Sequence, residues 1–265
     1  VPNQTTQYPV GAYRDAEFSA LTDVLAIEEP LELRVDADPA FTLSLMMRTP
    51  GHDRELVTGW LWAEGLLDAV DALELNPDTP NVIALRGDVG RLRGAARASF
   101  TSAACGVCGS GSVERLSIRA EPVIWTPPPL TPQLILDLPE RLRAAQTGFN
   151  ATGGLHAAGL FSAGGELLCA YEDVGRHNAT DKVVGWAALR GELPLSDRIL
   201  VTSSRAGFEI VQKAALAGVA VVVTVGAASS LAADTAAALN LSLLGFVRGE
   251  RFNVYAGGER VQKIE

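Results

Sequence analysis

Two cysteines at C-x-x-C spacing, Cys105 and Cys108, stand in a run of small residues from Ser102 to Gly111. A thiolate is the reactive form of cysteine, and a second thiol two residues away can lower its pKa, resolve it or share a metal with it. A redox pair of the thioredoxin type calls for bulky flanks and a helix start near the N-terminus. Here the flanks are Ala, Gly and Ser, which suits a loop that carries a sulfur atom between sites. A structural zinc site needs four ligands. The third cysteine, Cys169, lies alone in the apolar run Leu167-Leu168-Cys169-Ala170 and reads as a small buried hydrophobe. His52, His156 or His177 could complete a metal shell by count alone, without supporting spacing. Inert burial is the remaining reading, and a glycine-rich polar loop suits it poorly. Sulfur carriage or redox exchange therefore leads.

Four other segments are richer in polar and small residues than folding requires. Thr152-Gly153-Gly154-Leu155-His156 joins permissive glycines to a histidine. Glu172-Asp173-Val174-Gly175-Arg176-His177-Asn178 gathers four ionisable groups ahead of a helix start and is followed by Asp181 and Lys182. Ser203-Ser204-Arg205 follows a strand and precedes a helix, where backbone N–H groups favour an anion such as phosphate. In Gly245-Phe246-Val247-Arg248-Gly249-Glu250-Arg251-Phe252-Asn253, two guanidiniums beside aromatic residues make a platform for a phosphate and a flat base. Each alone reads as capping or a solvated surface. Together with the thiol loop they point to a ligand site in which Arg176, His177 and Arg205 favour anionic sulfur and phosphate.

The elements that must position these groups follow from periodicity. Phe41, Leu43, Leu45 and Met47 alternate as in a half-buried strand, and Arg48-Thr49-Pro50-Gly51-His52 ends it. Leu56, Val57, Trp60 and Leu61 have helical spacing, with Gly65 near the helix end. Residues 82–85 and 95–101 read as strands. The proline-dense stretch 126–132 reads as a stiff crossover, followed by a helix over 132–146. A hairpin joins 160–161 to 167–171. Asn178 is placed to cap a helix carrying Val183, Val184, Trp186, Ala187 and Leu189. Strands at 199–202, 219–225, 241–247 and 252–255 alternate with helices through Phe208, Val211 and Ala215 and from Leu231. This alternation predicts an α/β layer with a partly parallel sheet. Three parts are expected: an N-terminal lobe over 1–125 ending after the thiol loop, the crossover and helix over 126–146, and a C-terminal α/β lobe over 147–265.

The chain has 265 residues, 48% of them hydrophobic and 20% charged, as in an ordinary globular protein. A net charge of −9 argues against general affinity for nucleic acid or an anionic membrane surface. The opening residues do not read as a secretory signal, and the apolar stretch 214–247 is broken by Gly218, Gly226, Ser229 and Ser230. The expectation is a soluble protein of a reducing, cytoplasmic compartment, with no nucleic-acid or membrane partner.

Taken in order, six segments resemble the FdhD family of formate dehydrogenase accessory sulfurtransferases. They are Arg48-Thr49-Pro50-Gly51-His52-Asp53, Cys105-Gly106-Val107-Cys108-Gly109, Thr152 to Ala158, Glu172 to Asn178 with Asp181-Lys182, Ser204-Arg205 with Phe208-Glu209, and Gly245-Phe246 to Arg251-Phe252-Asn253. The resemblance implies that sulfur is taken from a cysteine desulfurase and held as a cysteine persulfide. It is then delivered to the molybdenum bis(molybdopterin guanine dinucleotide) cofactor of formate dehydrogenase. It further implies a cytidine-deaminase-like fold with a three-layer core, mixed sheet and smaller N-terminal lobe, and a homodimer. The persulfide position falls on Cys105 and the cofactor-binding stretch on residues 246–251, so a guanine nucleotide such as GDP is expected to bind as a fragment of the cargo. The loop 102–111 is expected to move over that pocket, near Arg248 and Arg251. Two alternatives stand beside this one: a non-catalytic chaperone of the same cofactor, and a zinc deaminase. The deaminase motif is H-x-E ahead of P-C-x-x-C, whereas here His52 precedes Asp53-Arg54-Glu55 and Ala104 stands before Cys105.

Overall fold

The computed structural model describes residues 4–99 and 120–263. Among them the chain forms three sheets. β1 (Thr5–Arg14) and β2 (Glu17–Ala26) make an antiparallel ribbon turned at Asp15 and Ala16, both with positive φ. β3 (Glu29–Val35), β4 (Phe41–Arg48), β5 (Val70–Leu75) and β6 (Val82–Gly87) form a mixed sheet in the order β4-β3-β6-β5. α1 (Asp53–Glu64) and α2 (Val89–Ser99) accompany it, and Leu31, Leu33, Leu43, Leu56, Leu61, Ile83, Leu85 and Leu92 share its core.

The third sheet has six strands: β7 (His156–Ser162), β8 (Leu167–Asp173), β9 (Arg198–Thr202), β10 (Val221–Thr224), β11 (Ser242–Arg248) and β12 (Arg251–Ala256). Their order is β12-β11-β10-β9-β7-β8; β9, β10 and β11 run parallel and the other neighbours antiparallel. Val221, Val222 and Val223 are fully buried, the pattern of a central parallel strand covered on both faces. The helices of this half are α3 (Pro132–Ala144), α4 (Thr147–Thr152), α5 (Arg176–Leu189), α6 (Phe208–Leu216) and α7 (Ser230–Ala238). α3 begins where chemistry says it should: Thr131 Oγ1 accepts from Leu134 N at 3.2 Å and Pro132 opens the first turn. Ile135, Leu138 and Leu142 then return to one buried face. The mixed α/β architecture expected from the alternation of elements is the one the chain adopts. Ala120 and Val123, on the N-terminal side of the expected boundary at 125, pack in this second core.

Three local expectations need correction. Residues 95–99 belong to helix α2 rather than a strand, because Leu92 and Ala96 bury one helical face while alanine and arginine favour the helix; residues 100 and 101 lie outside the described chain. In β4 the alternation breaks. Pairing passes from Leu33↔Ser44 to Arg34↔Thr42, so Leu43 is an extra residue. That bulge reverses the faces: Leu43 is buried, but Leu45 is 65% and Met47 49% exposed. Lastly, Gly175 is the N-cap of α5, and Asn178 lies within the first turn.

The two cores meet where α1 crosses α5. A Cβ on Gly59 would run into the Asp181 carbonyl, and one on Gly185 into that of Glu55, so the two backbones touch.

Candidate functional site

β7 begins, β8 ends, and β9, β10 and β11 end on one edge of the large sheet. The polar segments therefore converge there, although their residues are far apart in sequence. Their ionisable groups divide into those that hold the edge together and those that face it.

Glu172 belongs to the first kind. Its carboxylate accepts from Gly148 N and Phe149 N, each at 2.7 Å, and so satisfies the open first turn of α4. Asp173 is fully buried and lies 2.7 Å from Lys182 Nζ, itself fully buried. The same carboxylate accepts from Gly175 N at 2.8 Å, Asn178 Nδ2 at 2.9 Å and Thr49 N at 3.3 Å. Lys182 donates further to the carbonyls of Thr49 and Glu172, and Thr49 Oγ1 accepts from Val174 N at 3.1 Å. Buried charges survive only when paired and hydrogen-bonded in this way. Arg48 is held separately by Asp53 and by Asn81 Oδ1. The Arg48-Thr49 turn is thus the first lobe's plug into the second. His52, at the N-cap of α1 with φ 59°, packs edge-on against Tyr171 at 4.8 Å. Asp181 pairs with Lys213 at 2.7 Å, and burial still raises its pKa.

The groups that face the edge are fewer. Among the described residues, neither α5 nor α6 has a side-chain cap at its N-cap glycine, Gly175 or Gly207, whereas Ser229 caps α7. Two helix N-termini therefore keep their first-turn N–H groups free of side-chain caps, an arrangement suited to an anion. Arg176 and His177 open α5, both partly buried. Ser203 follows β9, accepting at Oγ from Ala157 N at 2.9 Å, and Ser204 Oγ donates to the Arg205 carbonyl at 3.1 Å. Arg205 is exposed and lies over Gly226, where a Cβ would meet its Cγ at 2.9 Å. Gly226 also accepts, through its carbonyl, from Phe246 N at 2.9 Å. Phe246 has φ 54° and sits where the β11–β12 register shifts. A bulky residue in that region is unusual and marks a bulge that re-aims its side chain.

The rest of the 246–251 segment divides. Val247 is fully buried in the second core. Arg248, Gly249, Glu250 and Arg251 form the exposed hairpin tip, with the Arg248 guanidinium 6.0 Å from the Phe246 ring. Glu250 and Arg251 line a hollow of about 570 Å³ with Phe252 and the start of α3 at Thr131, Pro132, Gln133 and Leu136.

Charge on the edge differs from the sequence expectation at His177. Burial, then Arg176, Lys213 and His156, push its pKa down to about 4. It is a neutral imidazole at physiological pH, not a third cation. Its Nδ1 lies 3.3 Å from Glu209 Oε2, on the first turn of α6. Burial raises the pKa of Glu209, and burial followed by Arg176 lowers that of His156. Glu209 lies in the Phe208-Glu209 segment that carries part of the family resemblance, whereas Lys213 is a residue of this edge that the sequence reading does not single out; its helical register on α6, one turn beyond Glu209, is the available signal. Cys169 is mostly buried and its thiol is pushed up to about 12 by burial, as fits a packing residue. Cys105, Cys108 and the loop 102–111 lie outside the described residues. Among the described residues, no helix is long and apolar enough to cross a membrane.

Comparison with known proteins gives this arrangement its class. Residues 26–262 match the FdhD/NarQ family. The sulfur carrier protein FdhD of Corynebacterium efficiens is 49% identical, with 89% of this chain and 90% of the relative covered. That of Sulfurisphaera tokodaii is 41% identical, covering 97% and 99%. A crystal structure of a protein described as a formate dehydrogenase accessory protein, from Desulfotalea psychrophila, superposes with a TM-score of 0.77. It is 21% identical, covering 98% of this chain and 100% of that one. The chain belongs to the FdhD/NarQ family.

Proposed function

We propose that this protein is a sulfur carrier that accepts persulfide sulfur from a cysteine desulfurase and delivers it to the molybdenum bis(molybdopterin guanine dinucleotide) cofactor destined for formate dehydrogenase. The observation that carries the reading is the Cys105-Gly106-Val107-Cys108 pair in a chain of this family, whose relatives at 41–49% identity are named sulfur carrier proteins. Loading is an exchange between sulfurs. The Cys105 thiolate attacks the terminal sulfur of the donor persulfide, one S–S bond forms as another breaks, and the donor leaves as its thiolate. Delivery follows when the Cys108 thiolate attacks Cys105 Sγ. The terminal sulfur leaves as sulfide, and a cellular thiol reductant resets the resulting disulfide. The cofactor is cargo, and its anionic groups suit the uncapped starts of α5 and α6 with Arg176, Ser203, Ser204 and Arg205. Phe246, Arg248 and Arg251 would take its guanine end. The protein would work in the cytoplasm, as a homodimer, on its way to formate dehydrogenase.

The test is mass spectrometry after incubation with a cysteine desulfurase and cysteine. A gain of one sulfur on the Cys105–Cys108 peptide is expected, lost in Cys105→Ala and retained in Cys108→Ala. The converse pattern reverses the two roles. If the doubly substituted protein still matures formate dehydrogenase, the protein is a cofactor chaperone instead.

A further inference from the structure

We propose, on the reading that the protein handles sulfur, that His177 is the proton acceptor of the sheet edge and that Glu209 is the residue that positions it. The two side chains come from the first turns of different helices, α5 and α6, and meet at 3.3 Å through Nδ1 and Oε2. The pair stands at ion-pair distance without an aligned hydrogen bond, and a small turn of the imidazole would let Nδ1–H donate to the carboxylate, which leaves Nε2 as the lone-pair acceptor. Both side chains are about three-quarters covered yet still reach solvent, as a group exchanging protons with a visiting substrate must.

The surroundings keep the acceptor unprotonated at rest. Burial opposes a charge on the imidazole first, and then Arg176, which precedes it on α5, Lys213, one turn beyond Glu209 on α6, and His156, which opens β7. Burial raises the pKa of the Glu209 carboxylate, Lys213 and Arg176 lower it, and Asp181 and Glu64 add to the rise. When an S–H group is presented, Nε2 takes its proton and the bonding pair stays on sulfur. The thiolate formed beside the new imidazolium and Arg176 offsets the repulsion that holds the empty site neutral. Nδ1–H remains on the Glu209 side throughout, the proton passes on to solvent, and no electrons are exchanged. A third residue orienting the base is the arrangement by which a thiol is activated in general.

Two readouts test this in the full-length protein. Two-bond ¹⁵N–¹H correlation of the histidine rings at pH 7, with His177 assigned through His177→Gln, should show the Nδ1–H tautomer. Glu209→Ala should shift it to Nε2–H or a mixture, and Glu209→Gln, which keeps an acceptor oxygen, should retain it. Sulfur loading from inorganic polysulfide, used as the probe, should slow about 100-fold in His177→Gln and about tenfold in Glu209→Ala. The rate should lose its dependence on the imidazole in the pH profile of the former. An Nε2–H tautomer in the unmodified protein overturns the proposal, and so do tautomer and pH profile that are unchanged in Glu209→Ala. If no polysulfide sulfur is taken up by the unmodified protein, the sulfur-carrier reading falls and with it the acceptor role, whereas the tautomer still decides whether Glu209 orients His177.

Discussion

Lys182 Nζ lies 2.7 Å from Asp173 Oδ2, and neither side chain reaches solvent. Removing one partner strands the other charge in the interior. Lys182→Met is expected to cost about 3–5 kcal/mol of unfolding free energy. Lys182→Met with Asp173→Asn should cost less than the sum of the two single changes, since the stranded charge is gone. Urea denaturation of the four proteins checks this; additive losses would show that the pair is not coupled.

Gly59 and Gly94 make a matched contrast. A methyl group on Gly59 meets the Asp181 carbonyl, whereas one on Gly94, in α2, meets nothing within 4 Å among the described residues. Gly59→Ala should destabilise by more than ~2 kcal/mol through overpacking, and Gly94→Ala should stabilise by up to ~1 kcal/mol through helix propensity. Thermal melts of the two proteins should move in opposite directions.

His177 gives stability a pH dependence of known sign. Its folded pKa of about 4 lies below the ordinary value of 6.5, so the unfolded chain binds the proton more readily. Stability is unaffected above about pH 6.5 and falls as pH drops from there toward 4. The loss should be on the order of 2 kcal/mol after allowing for partial exposure. In His177→Gln the fall over this window should be shallower. Equal slopes in the two proteins would remove His177 as the source.

Nucleotide recognition can be measured directly. Calorimetry should show GDP binding more tightly than AMP, with Arg205→Ala weakening GDP about tenfold. Raised salt should weaken it further. Equal binding of both nucleotides, or none, would remove the guanine end of the cargo from this edge.

Much of the fold can be read from particular residues. The β-branched run before Thr224 and the apolar run 241–247 sit between helical segments, and both appear as strands of the large sheet. The β1–β2 ribbon is harder, because its turn, Asp15-Ala16, lacks the glycine that signals a tight hairpin. Leu31, Leu33 and Val35 do alternate, and β3 is there. The reach of side chains across the molecule is what one dimension hides. Glu172 and Asp173 look alike in sequence, yet one caps α4 and the other anchors Thr49, 124 residues away. For the same reason Glu209, which the sequence shows only as part of a family segment, finds its partner His177 on the helix opposite.

The Thr49 contact also sets an order of events during synthesis. Its partners, Asp173 and Val174, are 124 and 125 residues further along the chain. At roughly 5–20 residues per second, the ribosome makes them roughly 6–25 s later. Arg48 needs no such wait, because Asp53 and Asn81 are close behind it. The first lobe can therefore settle its own cation early, while the neighbouring Thr49 remains an open socket until the second lobe emerges to fill it.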